Sequence, residues 1–366
     1  LSTGSGTHYD AINLVSSNSY PNFISLRNVT TNISYYSDAT ALDLTNFDVA
    51  NISNSKINST FFEDISNLSI INNTFYSNNY ILEEIHSFRF FNDLQIHNNS
   101  FKGITRLQTP DLMFFDYPSS GSESHIINSS KNTYFVNSTD WNSARLMNDY
   151  DASSCSSCNK ELYSFNDTYI GYHTDGNAYS NIFGFDYIEI DYGYFDSRLR
   201  PRNTETVMIV NNSIFNGDYA FVDNRYNTLF VENSVFNNSL IAFDVPSSWP
   251  LGQTYFKNNT FLDSDHILLR VGGWDFYNRQ DVFINVSARG SKIDSYNISL
   301  TDNSGNVYSF NNSNGTTKLE VDEFYSDGSF YFSNHCVLNE VTCYNPFQIN
   351  VSKEGYATNV TNVTID

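Results

Sequence analysis

The chain is poor in charge. Charged residues make up 16% of its 366 positions, against about 25% in an average globular protein. What charge it has is mostly of one sign, with 40 Asp and Glu against 19 Lys and Arg, a net of -21. That excludes nucleic acid as a natural partner, because phosphate binding needs a basic patch. The one basic cluster, Arg198-Leu-Arg200-Pro-Arg202, reads as a solvated turn. Long hydrophobic runs are missing too. No stretch of 18 apolar residues occurs, so no membrane insertion is expected. There is no Gly-rich phosphate loop and no Gly-x-Ser-x-Gly elbow, and the seven His are scattered without metal-ligand spacing. No signal peptide stands at Leu1, and the chain reads as a secreted, processed product.

Cysteine is scarce but paired: Cys155-Ser-Ser-Cys158, and Cys336 with Cys343. An even, locally paired count points to disulfides in an oxidising compartment. A zinc site built from all four is the rival, and it needs the pairs to meet across about 180 residues.

Asn, Ser, Thr and aromatic residues fill the space that charge leaves. Aromatics reach 16%, with 26 Tyr and 30 Phe. Twenty Asn-x-Ser/Thr signals for N-glycosylation occur, about twice what composition alone would give. They begin at Asn28, Asn32, Asn51, Asn58, Asn67, Asn72, Asn98, Asn128, Asn137, Asn166, Asn211, Asn237, Asn258, Asn285, Asn297, Asn311, Asn314, Asn350, Asn359 and Asn362. Such a density implies an extracellular, heavily glycosylated surface.

One short motif repeats. It stands as Asn72-Asn73-Thr74-Phe75, Asn98-Asn99-Ser100-Phe101 and Asn258-Asn259-Thr260-Phe261, with looser copies at Asn211–Phe215 and Glu232–Phe236. Aligned on Asn73, Asn99, Asn212, Asn233 and Asn259, every copy has an apolar residue three positions before and another two positions after. Strict strand alternation cannot bury both, since they are five apart. A bend with two successive outward residues can. The alignment predicts that the aligned Asn turns inward in a left-handed conformation and forms an asparagine ladder from coil to coil. Its predecessor (Asn72, Asn98, Asn211, Glu232 or Asn258) then faces out, where sugar attaches. Spacings of 26, 21 and 26 residues suit one turn of a solenoid. At about 4.8 Å per coil, some ten or eleven coils across residues 10–275 would make a rod of roughly 50 Å. Between 99 and 212 only Asn132-Thr-Tyr-Phe135 hints at the repeat. Residues 140–205 are therefore expected to hold a long aromatic-rich insertion, pinned by Cys155–Cys158.

The Asn-flanked apolar rungs resemble the right-handed parallel β-helix of the pectin-lyase-like superfamily, especially its NosD-like repeats. The resemblance covers about residues 60–265 and implies an all-β coil. It does not choose among lyases, hydrolases, adhesins and inert spacers, all of which use that fold. From about Asp281 the pattern changes to short alternating strands with Asn/Gly turns, which predicts a small β-sandwich. The run Val351-Ser-Lys-Glu-Gly-Tyr-Ala-Thr358 resembles the closing strands of Ig-like, carboxypeptidase-regulatory-type modules. The expected architecture is thus all-β: a right-handed parallel β-helix over 1–278, then an Ig-like β-sandwich over 279–366.

Chemistry is hard to find. The resemblance would require clustered catalytic carboxylates in a hydrolase, and only His173-Thr-Asp175-Gly176 matches a family signature. Glu189 and Asp191 share the outer face of a strand whose Ile188 and Ile190 point inward. With Asp175 they form a candidate Ca²⁺ site or, alternatively, an acid–base group. Trp141, Trp249 and Trp274 read as packing or sugar-stacking residues. No catalytic residue is assigned. The expected function is that of a non-enzymatic, glycosylated structural subunit that pairs head to tail with copies of itself, or with other surface proteins, in a filament or surface layer. An archaeal source is expected ahead of a bacterial one. Alternatives are a carbohydrate-binding adhesin, with glycans as partners, and a polysaccharide lyase or hydrolase using Asp175, Glu189 and Asp191.

Overall fold

A computed structural model describes residues 12–17, 22–31, 41–77, 84–105, 111–116, 124–138, 145–149, 158–173, 179–180, 182–183, 185–199, 207–216, 219–221, 228–237, 240–244, 253–262, 267–270, 275–312, 316–326, 342–344 and 346–363. Among them the chain is all-β, and no helix is long and apolar enough to cross a membrane.

Most strands pair in parallel with the strand one coil away, as expected of a β-helix-like stack. The main sheet contains a run of legs that follow in chain order. They include Phe23–Arg27, Leu42–Ser53, Thr60–Ile71, Glu84–His97 and Ser124–Ser130. The run continues through Asn159–Phe165, Tyr187–Asp191, Val207–Asn211, Thr228–Glu232, Gln253–Lys257 and Asp275–Asn285. After each leg from Leu42–Ser53 to Gln253–Lys257 the chain turns a corner into a nine-stranded second sheet, which runs from Lys56–Ile57 to Thr260–Leu262. A five-stranded third sheet, from Tyr179–Ser180 to Ile267–Arg270, closes the later coils. In the first coils, leg and approach form one long strand that bends at Asn46 and Asp64, both at positive φ.

Alternation decides what is inside. Leg Tyr187–Asp191 buries Ile188 and Ile190, and leg Thr228–Glu232 buries Leu229 and Val231. Just past the corner, one buried ring per coil continues the core: Phe75, Phe101, Tyr134, Tyr169, Phe195, Phe215 and Phe236. Neighbours stack with centroids 4.7–5.3 Å apart and planes within 16°. The coil repeat places each ring over the last, so the column follows from in-register pairing.

The region expected as an insertion is largely built of regular coils. Legs Asn159–Phe165 and Tyr187–Asp191, and strands Thr168–His173 and Tyr194–Asp196, lie in register with coils on both sides. Within it, residues 139–144, 150–157, 174–178, 181, 184 and 200–206 lie outside the described residues.

The last leg passes without a break into the C-terminal module. Asp275–Asn285 pairs in parallel with Gln253–Lys257 on one side and antiparallel with Thr316–Ser326 on the other. Val307–Asn312, Tyr296–Thr301, Phe347–Ser352 and Asn359–Val363 form a separate four-stranded antiparallel sheet in that order. Tyr296, Ile298, Leu300, Phe347 and Ile349 pack against Ile284, Leu319 and Val321 of that antiparallel strand pair, which gives the module a core of its own. Ion pairs tie Thr316–Ser326 to the last two legs: Arg279 to Asp322 (2.7 Å), Lys318 to Asp281 (2.8 Å) and Lys257 to Glu320, with Lys257 also paired to Asp281. These contacts lower the Asp281 carboxyl and raise the Lys257 ammonium against the opposing effect of burial.

Candidate functional site

The corner between the first and second sheets is where the repeated polar residues gather. Its bend residue has positive φ in coil after coil: Asn28, Asn54, Asn72, Asn98, Lys131, Asn166, Tyr192, Asn212, Asn233 and Asn258, all between 50° and 57°. The next residue points inward and is buried at Ser55, Asn73, Asn99, Asn132, Asp167, Ser213, Ser234 and Asn259.

These inward residues form a directed ladder. The backbone N–H of each donates to the side chain of the next: Ser55 to Asn73 Oδ1 (2.9 Å), Asn73 to Asn99 Oδ1 (2.8 Å), and Asn99 to Asn132 Oδ1 (2.8 Å). Asn132 N–H donates to Asp167 Oδ1 at 2.7 Å. A second run joins Gly193 to Ser213 Oγ (3.0 Å), Ser213 to Ser234 Oγ (3.1 Å) and Ser234 to Asn259 Oδ1 (2.9 Å). Each Asn amide also donates back to a leg carbonyl of the preceding coil. Asn73 reaches Ile52, Asn99 reaches Ile70, Asn132 reaches Ile96 and Asn259 reaches Val231, at 2.8–3.0 Å. A buried amide with its donors and acceptors engaged avoids the cost of an unmade bond.

The expected ladder is present at Asn73, Asn99 and Asn259, but two assignments and the turn itself need correction. Asn212 and Asn233 are bend residues, not ladder residues; Ser213 and Ser234 take the inward place. Aligning on Asn-Asn shifted those coils by one residue, and such a slip exchanges the two faces of a strand. Val210 and Val231 are accordingly fully buried, while Ile209 and Phe230 are half-exposed. The left-handed conformation belongs to the first Asn at Asn72-Asn73, Asn98-Asn99 and Asn258-Asn259, and to the residue before the inward one in every coil.

The sequence showed only a hint of the repeat at Asn132, and the ladder's continuation through Asp167 and Gly193 was missed. Its signal was present, in an aromatic residue two positions after each: Tyr134, Tyr169 and Phe195. Gly193 has no side chain to offer Asp167, so the ladder divides there. A Cβ at Gly193 would lie 2.8 Å from both Ile190 Cγ2 and the Phe195 ring.

Asp167 is the terminal acceptor of the first run. Its Oδ1 receives the backbone and side-chain N–H of Asn132, and its Oδ2 receives the hydroxyls of Ser129 and Ser164. Those serines have spent their one proton, so Tyr134 and Tyr169 must donate to them, at 2.6 and 2.7 Å. Burial pushes Asp167 up to about 6, opposed by these hydrogen bonds. Burial also raises both tyrosines, and the Asp167 charge adds to the effect.

His86 is another buried titratable group. Its Nδ1 meets the Thr60 hydroxyl at 3.1 Å, and its ring lies edge-on to Phe75 and Phe101. Nε2 has no hydrogen-bond partner among the described residues, and burial lowers its pKa to about 3. It is a neutral packing residue.

Of the carboxylates singled out from sequence, Glu189 and Asp191 lie among the described residues. Glu189 and Asp191 face outward while Ile188 and Ile190 are buried, as read. Glu189 accepts the Tyr187 hydroxyl (3.0 Å), and Asp191 accepts the Asn212 amide (2.8 Å). The Glu189 contact and burial push Tyr187 up to about 12. Asp175 lies outside the described residues. No group of three metal-ligating side chains occurs among the described residues.

Cys158 is buried and disulfide-bonded, and no described cysteine is free. Cys155, Cys336, Trp141, Trp249, Trp274, Arg200, Arg202, Asn32 and Asn314 lie outside the described residues. Among the other sequon asparagines, Asn28, Asn67, Asn72, Asn98, Asn166, Asn285, Asn297, Asn311, Asn359 and Asn362 are exposed. Asn51, Asn128, Asn137, Asn211, Asn237, Asn258 and Asn350 are half-buried, and Asn58 is buried. Compared with known proteins, the chain matches no family model, no curated protein and no solved structure.

Proposed function

We propose that this is an extracellular, N-glycosylated structural protein, the repeating subunit of a cell-surface filament or layer that assembles head to tail. In this reading the coil stack is a right-handed parallel β-helix of the pectin-lyase-like, NosD-like kind, and the C-terminal module is an Ig-like docking domain. One observation carries the proposal: the same bend, ladder and ring recur coil after coil along one corner. The buried polar groups there are used to hold register. A stack of strands offers backbone edges at its ends, and contact between unlike ends that does not close gives an open assembly. The test is electron microscopy with light scattering on secreted protein over a range of concentrations. Filaments or sheets with a regular repeat are expected. Particles that stay monomeric at high concentration, with no assembly at the cell surface, would rule it out.

A second reading, a carbohydrate-binding adhesin, draws support from exposed rings. Phe165 (47% exposed) and Tyr192 (53%) meet edge to face beside Asp191, and Tyr163 lies against Tyr187 on the adjoining face. Stacking on sugar suits such rings. A glycan array showing saturable binding that is lost in Tyr192→Ala would favour this reading.

A further inference from the structure

We propose that the bend corner is the sugar-bearing edge of the molecule, with N-linked oligosaccharide at Asn28, Asn72, Asn98, Asn166 and Asn258, and that Asn58 carries none. The proposal rests on the extracellular reading and goes beyond it by assigning acceptors from geometry. All five asparagines occupy the left-handed bend position and each begins an Asn-x-Ser/Thr signal. The intervening residue is the ladder position, buried at Asn73, Asn99, Asp167 and Asn259 and half-buried at Val29. The following hydroxyl residue turns out again: Thr30, Thr74 and Thr260 are exposed, Ser100 and Thr168 half-exposed.

The bend therefore separates the three residues of the signal by role. Acceptor amide and hydroxyl are presented together outside at Asn28, Asn72, Asn98 and Asn166, while the ladder fixes the residue between them; Asn258 is half-buried, its Nδ2 donating to Asp281 Oδ2 and its Oδ1 accepting the Asp281 N–H, both at 2.7 Å. Asn54, Lys131, Tyr192, Asn212 and Asn233 share the bend but begin no signal. The line of acceptors is thus interrupted at defined coils. Asn72 and Asn98 are neighbours within it, with Asn98 Nδ2 donating to Asn72 Oδ1 at 2.7 Å.

Asn58 has the same signal in the opposite setting. Asn58, Ser59 and Thr60 are 9%, 4% and 3% exposed. The Asn58 Oδ1 accepts from the Thr31 hydroxyl (3.3 Å), and Thr60 is engaged with His86. A sugar on its Nδ2 would have to occupy packed core.

Attachment forms a bond from Asn Nδ2 to the anomeric carbon of a lipid-pyrophosphate-linked oligosaccharide. The glycosyl–phosphate bond breaks, the lipid pyrophosphate leaves with that electron pair, and the amide gives up one proton to a base.

Two arms test the proposal. In the first, the full chain is secreted from a glycosylating host and mapped by intact-glycopeptide mass spectrometry. In the second, the folded, sugar-free chain is treated with a purified oligosaccharyltransferase and lipid-linked donor. Sugar at the five corner sites and none at Asn58 is expected. Thr74→Ala keeps the bend residue but should remove one glycan's mass, while Asn58→Gln should remove none. Sugar at Asn58, or bare corner sites beside modified ones elsewhere, overturns the proposal. A secreted chain with no sugar anywhere would count against the extracellular reading, and the second arm then decides the geometry alone.

Discussion

The two runs of the corner ladder solve one problem with different chemistry. From Ser55 to Asp167 the inward residues are mainly asparagine; from Gly193 to Ser234 they are Gly or Ser. Asn99 accepts from Asn73, donates to Ile70 O in that same preceding coil, and approaches Asn132 in the following one, so a single side chain joins three coils. Ser234 accepts from Ser213 but returns its own proton to Glu232 O in its own coil, so its side chain joins only two. The amide has both donors and an acceptor, and the hydroxyl has one proton to give. Length of side chain thus sets how far each tie reaches, and the asparagine run should be the more tightly bound half.

Asn99→Ala should have the largest effect. It strands the Asn73 N–H and the Ile70 carbonyl and leaves a void, for a loss of about 3–5 kcal/mol by denaturant unfolding. Ser234→Ala strands one N–H and should cost about 1–3 kcal/mol. Equal losses would erase the distinction between the runs.

Asp167 and His86 both lie in the coils of the asparagine run, and they oppose each other. Asp167 is raised from 3.8 to about 6, so its share of stability is complete below pH 4 and lost as pH rises through 6. His86 is lowered from 6.5 to about 3, so its share is complete above pH 6.5 and lost as pH falls. Between pH 4 and 6 the folded chain holds a proton on Asp167 and none on His86, and the unfolded chain the reverse. The counts match and the slopes cancel. His86→Leu should therefore lose about 3 kcal/mol on going from pH 4 to 6, and Asp167→Asn about 3 kcal/mol in the other direction, each relative to the parent chain. Parallel curves for the two variants would show that these groups do not set the balance.

Gly193 marks the boundary between the runs. Gly193→Ala forces a Cβ against Ile190 and Phe195 and should cost about 1–3 kcal/mol. The smallest effect is expected at the junction with the C-terminal module. Its ion pairs are partly exposed, so Lys318→Ala should cost at most about 1 kcal/mol and matter less in high salt.

Much of this architecture was legible because coil geometry writes itself into spacing. Asn73, Asn99 and Asn259 were placed by the distance from an apolar leg to an aromatic residue, and the module strands by alternation. The register at Asn212 and Asn233 was misread because the alignment followed asparagine. Phe215 and Phe236 stand two positions after Ser213 and Ser234, the spacing that marks Asn73 and Asn99, and the burial of Val210 and Val231 agrees with it. Asn132 was only hinted at, and Asp167 and Gly193 were hidden because the ladder accepts amide, carboxylate or no side chain, while the Tyr or Phe two residues on is retained. The polar cluster at Asp167 joins two coils, and the His86 site needs Thr60 from the coil before, so neither leaves a local motif.

Amide hydrogen exchange tests the difference between the two runs most directly. The N–H groups of Asn73, Asn99 and Asn132 should exchange about tenfold or more slowly than those of Gly193, Ser213 and Ser234, read in the same folded sample. Equal protection across both runs, or faster exchange in the asparagine run, would contradict it.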